Sequence, residues 1–126
     1  PPNAFRSLLV PLHRRYSVLF GIPTATTENG SAVDDSLPEA GPIHDQRRIE
    51  YLANHLRAVH EAIELGAQID TYLVWSLIDN FEWAFGYAKR FGLVAVDDQL
   101  TRLPKASAHW FGELARTGTL CVPQPA

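Results

Sequence analysis

The hydrophobic positions of this chain follow two helical patterns, one near its start and one at its centre. Apolar residues recur with helical spacing at Phe5, Leu8, Leu9, Leu12 and Tyr16, and again at Ile49, Leu52, Leu56, Val59 and Ile63. Pro11 lies inside the first pattern and should kink or split that helix, because its ring removes a backbone donor. The second pattern is the clearest amphipathic helix, and we expect Asp45 as its N-cap and Gly66 as its C′ residue.

Shorter apolar or β-branched segments predict strands. The threonine-rich segment 24–27 favours a strand that Glu28-Asn29-Gly30 ends. Residues 69–75 are mostly apolar and have about the length of a strand buried on both faces. A further short extended segment is expected at residues 93–96.

The remaining segments predict loops and one more helix. Residues 31–44 contain prolines, a glycine and several acids, and therefore predict a surface loop. Pro104 should open a final helix that Gly118 ends. The alternation of helices and strands predicts parallel β/α units, and two such strands supply about a quarter of an eight-unit barrel.

Composition narrows the class of protein. The chain has 126 residues, of which 46% are apolar, and a formal net charge of −3 without a basic stripe, so we expect part of a packed domain that binds no nucleic acid. No apolar run approaches the roughly 18 residues of a membrane span, so no membrane partner is expected. Cys121 is the only cysteine, which excludes an intrachain disulfide and a cysteine-based metal cluster. Because the chain opens on Pro1-Pro2-Asn3 and contains no Met, we expect it to be part of a longer protein.

The histidines do not predict a metal site. No two of them have the i, i+4 spacing of a helical zinc site, so neither a metal nor another cofactor is expected. We interpret all of them as surface or partly packed side chains: His13, His44, His55, His60 and His109.

Glu28 is the first candidate for chemistry. It ends a predicted strand within Thr27-Glu28-Asn29-Gly30, and in β/α barrels catalytic residues lie at the carboxyl ends of strands. Taken alone, the motif is explained more simply by a solvated carboxylate in an Asn-Gly turn.

The second candidate segment runs from Trp75 to Trp83 and places Glu82 between two aromatic residues. Indole rings stack on the flat faces of sugars, and carboxylates accept hydrogen bonds from their hydroxyls. Core packing is the alternative explanation, and it accounts for Leu77, Ile78 and Phe81. It accounts poorly for Glu82, because a carboxylate beside Phe and Trp is costly to bury without specific partners.

Both segments resemble family 1 glycoside hydrolases, the retaining β-glucosidases and β-galactosidases. Further similarity at residues 45–52, 96–97 and 104–110 extends the resemblance from about residue 23 to residue 111. The resemblance implies an α/β fold, the C-terminal part (about the last two βα units) of a (β/α)8 TIM barrel. Residues 1–126 would then be one partial barrel domain, which needs the N-terminal strands as its partner. Low cysteine content and the bacterial-looking family members favour a cytoplasmic location.

The resemblance also implies a role for each site residue. Glu28 matches the nucleophile that forms a covalent glycosyl-enzyme, with Asn29 among the substrate-binding residues. Trp75 matches the platform under the sugar, and Phe91 helps to wall the same subsite. By the same resemblance, Glu82 accepts hydrogen bonds from two sugar hydroxyls, and the Trp83 indole N–H donates to a third. Because Glu82 would repel a phosphate, it implies unphosphorylated β-glycosides as substrates.

One catalytic group of the family has no match in this chain. The acid/base glutamate of the family lies in an Asn-Glu-Pro motif, and these 126 residues contain no such motif. Since a retaining mechanism needs two carboxyl groups, we expect the chain by itself to be inactive. The alternatives are a non-catalytic sugar-binding module that keeps Trp75, Glu82 and Trp83, or a degenerate barrel remnant without sugar contact.

Overall fold

The computed structural model describes residues 2–33, 35, 37–38 and 41–121. The chain forms two compact units, of which the first comprises the chain up to Asn29 together with Leu52–Val74. The second comprises Gly30–Tyr51 together with the chain from Trp75 onwards.

The first unit begins with a helical segment that changes its hydrogen-bonding pattern. Helix α1 (Pro2–Leu12) is followed by a π-helical turn (His13–Ser17) and by the short α2 (Val18–Phe20). Pro11 cannot donate to the helical ladder, and the α-helical pattern ends one residue after it. The prediction that the helix kinks or splits at Pro11 is confirmed only as a change of hydrogen-bonding pattern at His13, because α1 continues through Pro11.

Helix α3 comprises Gln46–Glu64. Its residues from Leu52 onwards supply the second helix of the first unit. Arg6 of α1 donates to Glu61 of α3 at 2.6 Å. The buried core of this unit consists of apolar side chains from both helices and from the segment after α3: Leu9, Val59, Ala62 and Ala67, with Phe5, Val10, Ile69 and Tyr72 packed against them. The two apolar patterns of the sequence thus meet in one core.

Strands β1 (Thr24–Asn29) and β2 (Ile69–Val74) pair in parallel, as the alternation of elements predicts. Their register starts with Thr24 opposite Ile69 and ends with Asn29 opposite Val74. The prediction that β2 is buried on both faces is wrong, because Leu73 is 52% exposed. Successive side chains of a strand point to opposite faces, so Leu73 lies on the face away from Tyr72, which packs against the core.

Two histidines lie in the interior of the first unit. His13 is buried and accepts a hydrogen bond on Nδ1 from the backbone N–H of Gln68 at 3.2 Å. His55 is also buried, with its ring 5.6 Å from that of Phe5. The interpretation of all histidines as surface or partly packed side chains is therefore wrong for these two.

Glycines end α3 and the last helix, α4 (Ala106–Thr117), as predicted. Gly66 has φ +95° and Gly118 has φ +69°, which are backbone conformations that side chains with a Cβ disfavour. The N–H of Gly118 donates to the carbonyl of Leu114 at 2.8 Å, and so closes the helix.

The second unit contains a hairpin, of which the sequence pattern predicted the first strand, as the extended segment at residues 93–96, but not the second. Strand β3 (Val94–Val96) pairs antiparallel with β4 (Arg102–Pro104). Pro104 therefore ends a strand, and the prediction that it opens the final helix is wrong. The three-residue β4 is too short for an alternating pattern to be recognised, and Pro is tolerated at a strand edge.

The segment 31–44 is only partly a surface loop. Asp35 and Ile43 are buried, at 5% and 3% exposure. Val33 forms a bridge with Arg90, and Ile43 forms one with Lys105. Val33 and Ile43 are thus held by backbone pairing and Asp35 is buried, so these described residues do not form the surface loop that the composition predicts.

The turn between β3 and β4 is organised by Asp97. The backbone amides of Thr101 and Gln99 donate to Asp97 Oδ1 at 2.8 and 2.9 Å. The hydrogen bond from the Thr101 amide, reinforced by that from Gln99, holds the pKa of the Asp97 carboxyl below its usual value. Within this turn Leu100 has φ +63°, which costs a residue with a Cβ about 1–2 kcal/mol.

Replacing Leu100 with glycine should raise the free energy of unfolding by about 1 kcal/mol, because glycine adopts this φ without strain. Leu100 is 73% exposed, so little packing is lost. Urea unfolding of the purified protein measures the effect. The matched control, Leu65→Gly at another exposed leucine, which has no positive φ, should be destabilising. Equal destabilisation by both variants would contradict the strain at Leu100.

Candidate active site

Glu28 lies one residue before the end of β1, as predicted for a catalytic residue of a β/α barrel. Because β1 and β2 are parallel, their carboxyl ends lie at the same edge of the sheet. Glu28 is exposed, and its carboxylate has no hydrogen bond or ion pair with any residue that the structure describes. The carboxylate is therefore free to engage a ligand.

Asn29, at the end of β1, is held by a residue that the sequence analysis did not single out. The hydroxyl of Tyr72 on β2 donates to Asn29 Oδ1 at 2.8 Å. The amide nitrogen of Asn29 remains as the donor for a ligand. Only the parallel pairing brings these two residues together, since they are 43 positions apart.

Gly30 marks a close approach between backbones in the second unit. A Cβ at this position would lie 1.6 Å from the carbonyl oxygen of Trp75, which no side chain can tolerate. The segment that follows β1 is therefore in direct contact with the segment that follows β2, and glycine is required for steric reasons.

The segment after Trp75 pairs with the segment that contains Phe91. Ser76 N–H donates to the Phe91 carbonyl at 3.2 Å, and Leu93 N–H donates to the Ser76 carbonyl at 3.0 Å. The Asp79 N–H donates to the Val94 carbonyl at 2.9 Å. The Trp75–Ser76 peptide bond is cis. The Trp75–Trp83 segment and the segment of Phe91, which the resemblance assigns to sugar binding, thus belong to one hydrogen-bonded arrangement within the second unit.

Glu82 is half-buried and held by its own loop. Asn80 Nδ2 donates to Glu82 Oε1 at 2.7 Å. The Glu82 backbone N–H donates to the carbonyl of Gly86 at 2.7 Å, and the Glu82 carbonyl accepts from Phe85 N–H at 2.8 Å. The backbone and one carboxylate oxygen of Glu82 are therefore fixed before any ligand binds.

The aromatic residues of this segment lie at the surface of the second unit. Trp83 is 87% exposed and has φ +46°, and Trp75 is 38% exposed. Leu77 and Phe81 are exposed as well, so core packing, which was expected to account for them, does not. Phe91 is half-buried. Exposed indole rings beside a carboxylate are suited to stacking on a ligand.

A buried cation, Lys105, contacts the Trp75–Trp83 segment through Asp79. Lys105 is fully buried, and its ammonium group is 2.6 Å from Asp35 and 2.9 Å from Asp79. Asp79 also accepts from the N–H of Gly92 at 2.7 Å. Asp79 therefore ties the Trp75–Trp83 segment to the residue that follows Phe91, a role that the sequence pattern did not indicate.

Arg48, at the start of α3, extends this ionic cluster. Its guanidinium pairs with Asp35, lies 2.9 Å from Asp45, and donates to the carbonyls of Ser31 and Arg90 at 2.8 and 3.1 Å. Arg48 is 1% exposed. One buried side chain thus joins the segment after β1 to the segment before Phe91.

Asp45 lies directly before α3, as predicted for its N-cap. Its backbone carbonyl accepts from Arg48 and Ile49, as at a helix start, at 2.9 and 3.3 Å. Its carboxylate, however, accepts from the N–H of Ser107 at 2.9 Å and from the Ser107 hydroxyl, in the first turn of α4. Asp45 therefore caps a helix that lies 62 positions later in the chain.

Among the residues that the structure describes, no group of three or more His, Cys, Asp or Glu side chains is arranged to hold a metal ion. None of the described helices combines the length and the apolar character that crossing a membrane requires.

Comparison with known proteins identifies relatives by sequence. The chain is 46% identical over 120 residues to the "Thermostable beta-glucosidase B" of Thermobispora bispora, covering 94% of this chain and 24% of that protein. It is 47% identical over 116 residues to the "Bifunctional beta-D-glucosidase/beta-D-fucosidase" of Bifidobacterium breve, covering 87% and 24%. The chain thus spans about a quarter of the length of these relatives.

Solved structures support the same relationship. The family 1 β-glucosidase from Thermotoga maritima superposes with a TM-score of 0.88 at 39% identity, covering 96% of this chain and 27% of that chain. That protein has also been solved in complex with castanospermine and with deoxynojirimycin. The predicted fold class, part of a (β/α)8 barrel, is confirmed. The model of the family described as "Glycosyl hydrolase family 1" matches residues 1–119, and we conclude that the chain belongs to this family.

Proposed function

We propose that the chain supplies the nucleophile and the sugar-binding residues of a retaining β-glucosidase-type hydrolase that cleaves terminal, unphosphorylated β-D-glycosides. The observation that carries the proposal is the Glu28 carboxylate, which lies at the carboxyl end of a parallel strand without a described partner. The names of the relatives support the substrate class.

The proposed chemistry is a double displacement. A Glu28 oxygen attacks the anomeric carbon while the bond to the leaving oxygen breaks, and a second carboxyl group, about 5–5.5 Å away, protonates that oxygen. The same group then removes a proton from water, which attacks the anomeric carbon and releases Glu28. Glu82 is assigned to the sugar hydroxyls, so the second carboxyl group would come from outside these 126 residues.

Covalent trapping tests the role of Glu28. The product of the complete reading frame that contains these residues is incubated with an aryl 2-deoxy-2-fluoro-β-glucoside, whose fluorine slows hydrolysis of the intermediate. Peptide mass spectrometry should find the fluoroglycosyl group on Glu28 and none in a Glu28→Gln variant. Labelling of a different residue in an active protein would contradict the assignment.

Sugar binding without chemistry is a second candidate function, favoured by the 87% exposure of Trp83 in its aromatic segment. It predicts that deoxynojirimycin quenches tryptophan fluorescence while no residue is labelled and no aryl β-glucoside is cleaved. For the 126-residue chain alone we expect no turnover, and sustained hydrolysis would contradict that part of the proposal.

A further inference from the structure

We propose that Asn80 is a positioning residue, which holds the Glu82 carboxylate so that its second oxygen faces the sugar. The inference rests on the proposed function, because Glu82 is assigned there to sugar hydroxyls. It adds a residue that touches no ligand and acts through Glu82.

The hydrogen bonds of Asn80 leave its side chain only one orientation. Its Nδ2 donates to Glu82 Oε1 at 2.7 Å and lies 3.4 Å from the Phe81 carbonyl. Its Oδ1 lies 3.1 Å from the Ser76 hydroxyl. A flipped amide would place its oxygen against the Glu82 carboxylate, so the amide nitrogen has to face Glu82.

Ser76 supplies a rigid base for this arrangement. It is 8% exposed, and its hydroxyl also lies 2.8 Å from the Ile78 carbonyl. Its backbone N–H donates to the Phe91 carbonyl, and its backbone carbonyl accepts from the Leu93 N–H. Asn80 therefore transmits the fixed position of a buried serine to a carboxylate at the surface.

The carboxylate of Glu82 is left with one oxygen for a ligand. Oε1 accepts from Asn80, while Oε2 has no partner among the residues that the structure describes. The backbone of Glu82 is held by Gly86 and Phe85. A glutamate has three rotatable bonds, and without Asn80 the sugar would have to order them on binding, which weakens binding and misplaces the acceptor.

The test uses the product of the complete reading frame with three variants: Asn80→Ala, Glu82→Ala and the double variant. We expect Asn80→Ala to lower kcat/KM for an aryl β-glucoside by about 10- to 100-fold, the range of a charge-assisted hydrogen bond. In the Glu82→Ala background the same change should cost less than about 2-fold, because the group through which it acts is gone. Equal losses in both backgrounds would overturn the proposal.

A second signature separates positioning from a merely structural role. On a panel of monodeoxy aryl β-glucosides, Asn80→Ala and Glu82→Ala should lose sensitivity to the same sugar hydroxyls. Asn80→Asp keeps the shape but puts a second carboxylate beside Glu82, so it should lose at least as much activity as Asn80→Ala. The control Asn54→Ala, at an exposed helical asparagine, should match the unmodified protein. Wild-type activity in Asn80→Asp would overturn the proposal.

Different outcomes would contradict the hydrolase function and the positioning role of Asn80. If the unmodified protein is labelled on Glu28 but Asn80→Ala hydrolyses normally, only the role of Asn80 falls. If nothing is labelled or hydrolysed, the hydrolase function falls, and titration with deoxynojirimycin decides about Asn80. A 10-fold weaker dissociation constant in Asn80→Ala supports the positioning role, whereas an unchanged constant or no binding overturns it.

Discussion

In the product of the complete reading frame, replacing Glu28 with glutamine is expected to lower the hydrolysis of an aryl β-glucoside by roughly 10⁴-fold or more, because an amide cannot form the glycosyl ester. The fold should be unaffected. Glu28 is exposed and has no described side-chain partner, so the change in the free energy of unfolding should stay within about 0.5 kcal/mol. Initial rates and urea unfolding, measured on the same preparation, check both expectations.

A matched control and a rescue experiment sharpen this prediction. Glu50→Gln, at another exposed glutamate without a described partner, should keep full activity. Glu28→Gly leaves space in which azide can attack the anomeric carbon directly. That single displacement inverts the configuration, so the β-glycoside should yield the α-glycosyl azide. A β-configured product, or near-normal hydrolysis by Glu28→Gln, would show that Glu28 is not the nucleophile.

Replacing Lys105 with methionine is expected to lower the free energy of unfolding by about 3–5 kcal/mol, the cost of removing one partner from a buried ion pair. Lys105 is 0% exposed and neutralises two carboxylates, at 2.6 Å in Asp35 and 2.9 Å in Asp79. Methionine fills a similar volume but leaves both charges with one cationic partner fewer. Activity should fall as well, since Asp79 fixes the segment of Glu82 to Gly92.

Urea unfolding followed by tryptophan fluorescence measures this loss, with Lys89→Met as the control at an exposed lysine. The control should change the free energy of unfolding by less than about 0.5 kcal/mol. Adding Asp79→Asn to Lys105→Met should recover part of the loss, because asparagine is neutral and its oxygen can still accept from Gly92. A loss below about 1 kcal/mol in Lys105→Met would contradict the expected cost of depriving the buried carboxylates of this cationic partner.

Features of the site that depend on local backbone chemistry were predicted from the sequence. The position of Glu28 at the end of a parallel strand follows from β-branched residues that precede a turn, and this position was predicted. The roles of Glu28, Asn29, Trp75, Glu82, Trp83 and Phe91 stay predictions that the labelling and mutation experiments test. Asn80 was not singled out, because an asparagine in a loop has many possible partners and only the folded loop selects one.

The sequence by itself determined the amphipathic helix, the change of helical hydrogen bonding after Pro11, the glycine ends at Gly66 and Gly118 and the parallel β/α class. The helical features depend on periodicity or on backbone chemistry within a few residues, and the β/α class depends on the order of the elements along the chain. Tertiary structure alone decided the ionic cluster, in which Asp35 and Lys105 are 70 positions apart, and the capping of α4 by Asp45. A charged side chain looks solvent-exposed in sequence, because the partner that makes its burial favourable is distant along the chain.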